Sequence, residues 1–393
     1  MPVGVYISVP FCRSKCSYCN FASGVFAREM AVGYVERVCA DAGRARQIAS
    51  EMGGILERKA DSVYLGGGTP TTLTPDRIER IFAALRQEFE IDPAAEITVE
   101  CAPGALAPAM LQALVREGVN RASLGVQSFV DAEAAAVGRL HTRAVVLDDI
   151  SRLRAAGITN INVDLIAGLP HQTAASWQRS VDETIATGVP HASIYMLEVD
   201  QDSRLGRELI AGGTRYHAHF VPDEDSTADF YLEAGARLGA ARIAQYEISN
   251  FARPGMESRH NLKYWTRQPY VGFGLDAHSM LEVPGGAVRF STPDSLEEFM
   301  AGAPLSRTPV STRDALEETF FLGLRLSRGV DLKAVSARFG VDALHAFADT
   351  MRKLVSAGML EREGDTVRLT SAGRLLSNEV FQRFLGVLST APV

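Results

Sequence analysis

Six short apolar runs, separated by helical stretches, occupy the first half of the chain, and this alternation constrains the fold more than any other feature. The first run is rich in β-branched residues and is closed by Pro10, as expected of a strand. Because a helix separates each strand from the next, the strands are expected to pair in parallel. The predicted strands cover residues 3–9, 62–65, 96–100, 122–126, 161–166 and 192–197.

Both a doubly wound sheet and a partial or full (β/α) barrel satisfy this order, and the residues at the strand ends distinguish them. Cys12, Gly66 to Thr69, Glu100, Gln127 and Asp164 lie at or just past the carboxyl ends of predicted strands. In a barrel those ends converge on one mouth, where side chains from many strands can share one ligand. The sequence therefore favours an α/β fold built on a partial or full (β/α) barrel.

The length of 393 residues predicts two domains, because it exceeds what one hydrophobic core usually supports. We expect a barrel domain over residues 1–295 and a smaller domain over residues 300–393. Within the first, residues 201–225 carry glycine, proline and aspartate and are predicted to form a mobile loop near the mouth.

The smaller domain is predicted to be helical, with a winged-helix-like layout. Helices are expected over 316–326 and 342–357, followed by a hairpin of residues 360–362 and 367–369. Its basic and acidic residues are nearly balanced, so a packing or lid role is favoured over DNA binding.

Composition narrows the classes of partner. Hydrophobic residues make up 46% and charged residues 22% of the chain, which is ordinary for a soluble globular protein. The net charge of −7 argues against nucleic acid as a partner. No apolar run approaches the length of a membrane span, and nothing resembles an export signal, so a cytoplasmic location is expected.

Three cysteines follow the first strand in the pattern Cys12-x3-Cys16-x2-Cys19. Three thiolates on one short loop can hold three corners of a cubane iron–sulfur cluster and leave the fourth iron open to a small molecule. Zinc is disfavoured, because its usual spacings pair Cys-x2-Cys with a second, distant pair that this sequence lacks. Disulfides are disfavoured because the total of five cysteines is odd, and Cys39 and Cys101 are expected to be buried.

The glycine run Gly66 to Gly68, followed by Thr69 and Pro70, directly follows the second predicted strand. Consecutive glycines let a backbone approach a ligand closely, and they equally suit a tight strand-to-helix turn. A phosphate-binding loop would need a lysine after the glycines, and none is present.

Two carboxylates at strand ends, Glu100 and Asp164, would be costly to bury without a cation or a donor. A cationic ligand bearing hydroxyl groups would satisfy them, and so would an internal salt bridge with Arg139. Tyr6 and Tyr18 flank the cysteine loop and could line the site of an aromatic base or simply pack.

The cysteine spacing and the Gly-Gly-Gly-Thr-Pro turn together resemble the radical S-adenosylmethionine superfamily. The resemblance implies that Cys12, Cys16 and Cys19 ligate a 4Fe-4S cluster whose open iron binds the methionine part of S-adenosylmethionine. The backbone of Gly67, Gly68 and Thr69 is implied to approach that methionine part. The residues implied to surround the rest of the cofactor are Tyr6, Tyr18, Glu100, Gln127, Arg139 and Asp164.

Within that superfamily, the chain is similar to the oxygen-independent coproporphyrinogen III oxidase group along nearly its whole length. The decarboxylating oxidases carry a further cysteine two residues after the third, where this sequence has Phe21. The run His260-Asn261-Leu262-Lys263-Tyr264-Trp265 matches the His-Asn-x-x-Tyr-Trp signature of the heme chaperone branch, and we associate residues 240–280 with heme.

The resemblance implies that the chain binds heme and passes it to acceptor proteins, including membrane-associated ones. The alternative is a radical enzyme, above all the oxidase that decarboxylates coproporphyrinogen III to protoporphyrinogen IX. The intact cysteine triplet and the polar mouth fit either function.

A histidine imidazole can ligate heme iron, and aromatic neighbours can stack on the macrocycle. His260, beside Tyr264 and Trp265, is therefore the predicted axial ligand of heme. Its alternative role is that of a hydrogen-bonded core residue. His141, His217 and His219 are the next candidates for the ligand.

Overall fold

The computed structural model describes residues 1–387. All six predicted strands are present, most of them longer than the runs suggested. They are β1 Val3–Val9, β2 Lys59–Gly67, β3 Glu90–Cys101, β4 Arg121–Gln127, β5 Asn160–Ala167 and β6 His191–Met196. The helices between them are α1 Met30–Gly43, α2 Ala45–Glu51, α3 Pro75–Glu88, α4 Pro108–Arg116, α5 Asp131–Ala136, α6 Arg143–Ala155 and α7 Ala174–Ala186.

Strands β1 to β6 are parallel and lie side by side in the order in which they occur in the chain. A doubly wound sheet would reverse its strand order at some point, so the predicted barrel topology is confirmed. The barrel is partial, because the outer edges of β1 and β6 pair with later strands and not with each other.

The six strands have one apolar and one polar face. In β1, Val3, Val5 and Ile7 are fully buried and belong to the main hydrophobic core, which lies between the sheet and its helices. The alternate positions Tyr6 and Ser8 face the barrel interior with polar groups, since successive side chains of a strand point to opposite faces. The interior is therefore lined with polar side chains that a ligand could use.

Within residues 1–387, the sheet continues beyond the six strands to a total of twelve. The additional elements begin with helices α8 Arg204–Ala211 and α9 Glu224–Ala240. They continue with β7 Ala244–Gln245, β8 Asn250–Ala252, α10 Arg259–Trp265, β9 Tyr270–Phe273, β10 His278–Val283, β11 Gly286–Ser291, α11 Leu296–Ala301 and β12 Ser306–Ser311. The prediction of a loop over 201–225 is wrong in part, because this segment contains α8 and a 3-10 turn, Ala218–Phe220.

The C-terminal part forms a second, smaller core around Phe384, on whose ring those of Phe320 and Phe347 stack. Its three short strands form an antiparallel sheet in the order β13-β15-β14. The elements are α12 Thr312–Gly323, β13 Val330–Asp331, α13 Leu332–Phe339, α14 Val341–His345, α15 Ala348–Ser356, β14 Leu360–Glu363, β15 Thr366–Leu369, α16 Ser371–Leu375 and α17 Ser377–Gln382.

Two details of this part differ from expectation. The single helix predicted over 342–357 is two helices, α14 and α15, and Phe347 at the break is fully buried. Strand β12 pairs with β11 of the large sheet, although a boundary at residue 300 would assign it to the smaller domain. Across residues 1–387, none of the helices combines the length and the apolar character that spanning a bilayer requires.

Candidate functional site

The cysteine loop crosses the carboxyl end of the barrel directly after β1. Backbone hydrogen bonds join Cys12 to Gly24 and Gly24 to Pro10, each at 2.9 Å, so the loop closes on itself. Cys16 is buried, whereas Cys12 and Cys19 are half-buried, and all three thiols are free. Burial raises the pKa of the Cys12 thiol. The three thiols predicted to share a cluster thus lie on one constrained loop.

Among residues 1–387, no group of three His, Cys, Asp or Glu side chains is placed so that it could hold a metal ion. This holds for Cys12, Cys16 and Cys19 as well, and it concerns a site for a single metal ion. A single zinc ion needs its sulfurs within about 4 Å of one another, given Zn–S bonds of about 2.3 Å. A cubane cluster keeps its thiolates further apart, because several metal and sulfide atoms lie between them.

The glycine turn lies against the cysteine loop. A Cβ atom on Gly68 would lie 2.9 Å from both Sγ of Cys12 and the carbonyl oxygen of Phe11, so only glycine fits there. The amides of Gly68 and Thr69 donate to Val9 and Phe11 at 2.8 and 2.9 Å. Close approach to Cys12, and not only to a ligand, therefore requires a glycine at position 68.

Glu100, at the end of β3, is held from two sides. Its Oε1 accepts a hydrogen bond from the hydroxyl of Tyr64 at 2.8 Å, and its Oε2 accepts one from the amide of Gly67 at 3.1 Å. Burial raises the pKa of Glu100 from 4.5 to about 7, although the bond from Tyr64 acts in the opposite direction. The carboxyl group can therefore change charge near neutral pH.

Asp164 of β5 lies in a hydrogen-bonded layer inside the barrel. Its carboxylate accepts from Ser123 Oγ at 3.2 Å and from Asn162 Nδ2 at 2.7 Å. Burial raises the pKa of Asp164, while bonds from Ser193, Asn162 and Ser123 partly offset that rise. The cost of burying this charge is thus met by neutral donors.

Arg139 does not form the internal salt bridge with Glu100 or Asp164 that the sequence analysis gave as an alternative. Its guanidinium donates to the carbonyl of Gly125 and, at 3.4 Å, to Sγ of Cys16. A Cβ atom on Gly125 would lie 3.2 Å from both Arg139 Nη2 and Gln127 Nε2, so this glycine makes room for both side chains. The cation therefore lies beside one of the three cysteines.

Gln127 ends β4 in an unusual backbone conformation, with a φ of 69° at a register shift between β4 and β5. Left-handed φ is uncommon for residues other than glycine and is found preferentially at functional sites. The buried Oε1 of Gln127 and the buried Nε of Arg139 have no hydrogen-bond partner within residues 1–387. Both atoms are thus available to a polar ligand.

The two tyrosines occupy different places. Tyr6 lies inside the barrel, with its ring centroid 5.9 Å from that of Tyr64. Tyr18, on the cysteine loop, packs against the small apolar cluster of Val137, Ile166 and Leu169. The structure therefore brings Tyr6 close to Glu100 through Tyr64, and Tyr18 close to the loop that follows β5.

Sequence reasoning missed the inward-facing residues within the strands. Tyr64, Ser123, Asn162 and Ser193 support the carboxylates of Glu100 and Asp164. Their pattern was available in the sequence, because polar residues alternate with fully buried apolar ones along β2, β4, β5 and β6. Attention to strand ends alone overlooked that alternation.

His260 lies at the opposite, amino end of the barrel, where α10 closes the interior. The amides of Arg259 and His260 each donate to the carboxylate of Glu96 at 3.0 Å. The His260 ring is hydrogen-bonded through Nδ1 to Ser62 at 2.9 Å and through Nε2 to Tyr264 at 2.8 Å.

These contacts correct the prediction of His260 as the axial ligand. The residue is only 1% exposed, and burial lowers its pKa to about 3. In this conformation neither ring nitrogen is available to heme iron, because both already have partners. The alternative of a hydrogen-bonded core histidine describes the geometry.

Two family models match the chain. Residues 6–184 match the Radical SAM superfamily, and residues 310–376 match the HemN C-terminal domain. The first match covers the cysteine loop, the glycine turn, Glu100, Gln127, Arg139 and Asp164.

Curated relatives match over nearly the full length. The heme chaperone HemW of Lactococcus lactis is 30% identical, covering 98% of this chain and 97% of the relative. The heme chaperone HemW of Bacillus subtilis is 31% identical over 98% and 99%. Among solved structures, coproporphyrinogen III oxidase (HemN) from Escherichia coli has a TM-score of 0.83 at 22% identity, covering 98% of this chain and 90% of that one.

Proposed function

Since this chain belongs to the heme chaperone HemW family of radical SAM proteins, we propose that it holds a 4Fe-4S cluster and S-adenosylmethionine and transfers heme to acceptor proteins. The acceptors include membrane-associated proteins, and the transfer takes place in the cytoplasm. Porphyrin metabolism is accordingly its cellular context.

The single observation that carries the cofactor site is the position of Arg139. Its guanidinium donates to Cys16 Sγ at 3.4 Å, while its buried Nε has no partner within residues 1–387. Hydrogen bonds to charged groups are stronger than neutral ones, so the contact would stabilise a thiolate. Arg139 would therefore hold one ligand of the cluster and offer a donor to S-adenosylmethionine.

The other residues of the mouth fit the same cofactor. The amides of Gly67, Gly68 and Thr69 are taken by protein acceptors, and the carbonyl oxygen of Thr69 accepts from Thr72. The carbonyl oxygens of Gly67 and Gly68 would therefore suit the amino group of a methionine moiety. Glu100 and Asp164 would attract the sulfonium charge and accept from the ribose hydroxyls. Cys12, Cys16 and Cys19 would hold the cluster, which when bound would supply an electron to the sulfonium and an open iron for the methionine part.

The cluster ligands can be tested by anaerobic reconstitution with iron and sulfide. Cys12→Ala, Cys16→Ala and Cys19→Ala should each lose the charge-transfer absorbance and much of the bound iron. Cys39→Ala is the matched control, because Cys39 is buried on α1 within the main hydrophobic core and its Sγ donates a hydrogen bond to the carbonyl of Arg80 at 3.6 Å. Unchanged iron content in all three loop variants would refute the assignment.

The function itself is tested by assaying heme binding and porphyrinogen turnover side by side on the reconstituted full chain. We expect a heme complex that activates an apo heme protein, and no decarboxylation of coproporphyrinogen III. Robust decarboxylation without heme transfer would instead support the oxidase. The oxidases carry a fourth cysteine at the position of Phe21.

A further inference from the structure

A pair of histidines lies at the same end of the barrel as the cysteine loop. Neither histidine has a role in the cofactor site described above. His171 follows β5, and His217 precedes the turn Ala218–Phe220. Nε2 of His171 and Nδ1 of His217 are 3.0 Å apart and share a hydrogen bond. The phenyl ring of Phe220 stacks on His171 with 4.2 Å between centroids.

Both histidines are held in left-handed backbone conformations, with φ of 66° at His171 and 60° at His217. The carboxylate of Glu208 accepts hydrogen bonds from the amides of Tyr216 and Ala218, at 2.8 and 3.1 Å, on either side of His217. The amide of His171 donates to the carbonyl of Phe220 at 2.9 Å. The surrounding bonds maintain this unfavourable geometry, which is typical of binding sites.

The hydrogen bond between the rings leaves one nitrogen on each ring without a hydrogen-bond partner within the described residues, Nδ1 of His171 and Nε2 of His217. Nε2 of His217 has no hydrogen-bond partner within the described residues, while its Nδ1 bonds to His171. Histidines that ligate a metal usually bond through the other ring nitrogen to a neighbour, which fixes the tautomer and the ring orientation. Both rings fit this pattern, and they differ in that the His171 ring is also held by the stacked ring of Phe220. This contact suits His171 to the positioning role and His217 to that of the ligand.

The buried histidines His141 and His191 differ from this pair, of which His171 is exposed and His217 half-buried. Both ring nitrogens of His191 are taken, by Asn162 at 2.6 Å and by Tyr246 at 2.9 Å. His141 bonds through Nε2 to the carbonyl of Val126 and is buried, and burial lowers its pKa to about 4. Each is enclosed by protein.

Apolar side chains lie exposed beside the histidine pair. Phe220 is 57% exposed, and Leu209 and Ile210, on the helix that packs against this turn, are 47% and 68% exposed. Neighbouring exposed apolar side chains often mark a place where a ligand or partner binds. A flat apolar macrocycle with a central metal would cover these side chains and reach the free imidazole nitrogen.

We propose that His217 is the axial ligand of heme in this protein, that His171 positions its ring, and that Phe220 and Ile210 contact the porphyrin. This inference rests on the proposed function, because it assumes that the chain binds heme. It moves the heme site from the closed end of the barrel to the rim of its mouth.

The test is a titration of the full chain with hemin, followed by absorbance. His217→Ala should lose the imidazole-ligated spectrum, and free imidazole should restore it. His171→Ala should weaken hemin binding roughly ten- to a hundredfold, as loss of a hydrogen-bonded neighbour of a metal ligand does. His219→Ala, exposed on the same turn, is the matched control and should behave as the native chain.

Metal-free protoporphyrin IX separates iron ligation from porphyrin contact and from misfolding. Its affinity should be unchanged in His217→Ala and reduced in Phe220→Ala. If the native chain binds hemin and His217→Ala keeps the same spectrum, this inference is overturned while the chaperone function stands. If the native chain binds no hemin, the heme part of the proposed function fails together with it.

Discussion

The carboxyl group of Glu100 is expected to make the stability of the protein depend on pH near neutrality. Burial raises its pKa from 4.5 to about 7. The native protein therefore retains a proton between these two values that the unfolded chain has already lost. Within that window the free energy of unfolding falls as the pH rises, since the native state binds more protons than the unfolded state.

The size of the effect follows from the shift. Each pKa unit corresponds to about 1.4 kcal/mol, so the full shift amounts to about 3 kcal/mol. The loss begins near pH 4.5, is complete above pH 7, and is absent below pH 4.5. Glu100→Gln has no carboxyl group to ionise. Its free energy of unfolding, relative to that of the native chain, should therefore rise by about 3 kcal/mol from acid to alkaline pH.

Urea unfolding of the cluster-free chain at several pH values, monitored by circular dichroism, measures this difference. Loss of one acceptor for Tyr64 or Gly67 lowers the stability of Glu100→Gln by the same amount at every pH, so only the slope matters. Glu297→Gln, an exposed carboxyl on α11, is the control and should leave the slope unchanged. Parallel curves for Glu100→Gln and the native chain would refute the assigned burial of Glu100.

Two further substitutions test contacts of the fold, the first beside the cysteine loop and the second at the ion pair between Arg325 and Glu247. Gly68→Ala should reduce iron incorporation, because its Cβ would lie 2.9 Å from Cys12 Sγ. Gly239→Ala is the control and should not reduce it, because Gly239 has open space around it. Equal iron content in both variants would contradict the close approach of Gly68 to Cys12. Arg325→Ala should lower the free energy of unfolding by about 3 kcal/mol, because the fully buried carboxylate of Glu247 loses its ion pair at 3.5 Å. Urea unfolding measures this change, and a value below about 1 kcal/mol would contradict the prediction.

The strands and the mouth of the barrel could be predicted because both depend on local pattern. Apolar runs separated by helices fix parallel neighbours, and residues past the strand ends must then share one end of the barrel. Cys12, Glu100 and Gln127 fall at that end for this reason, whereas Asp164 lies within β5 and faces the barrel interior. The break between α14 and α15 was not predictable, since it follows from the burial of Phe347 in a distant core.

The surroundings of His260 were also beyond sequence reasoning. Its partner Ser62 lies 198 residues away, and only the folded chain brings α10 to the amino end of the barrel. The pairing of His171 with His217 depends likewise on two loops that are 46 residues apart. A residue type and its immediate neighbours suggest a chemistry, but access to a ligand is decided by tertiary structure.

Mössbauer spectroscopy of the anaerobically reconstituted chain, before and after addition of S-adenosylmethionine, tests the central claim most directly. We expect a 4Fe-4S cluster in which one iron changes its environment when S-adenosylmethionine binds, because three cysteines leave that iron without a protein ligand. Zinc in place of iron, or a cluster whose irons are all unaffected by S-adenosylmethionine, would contradict the account.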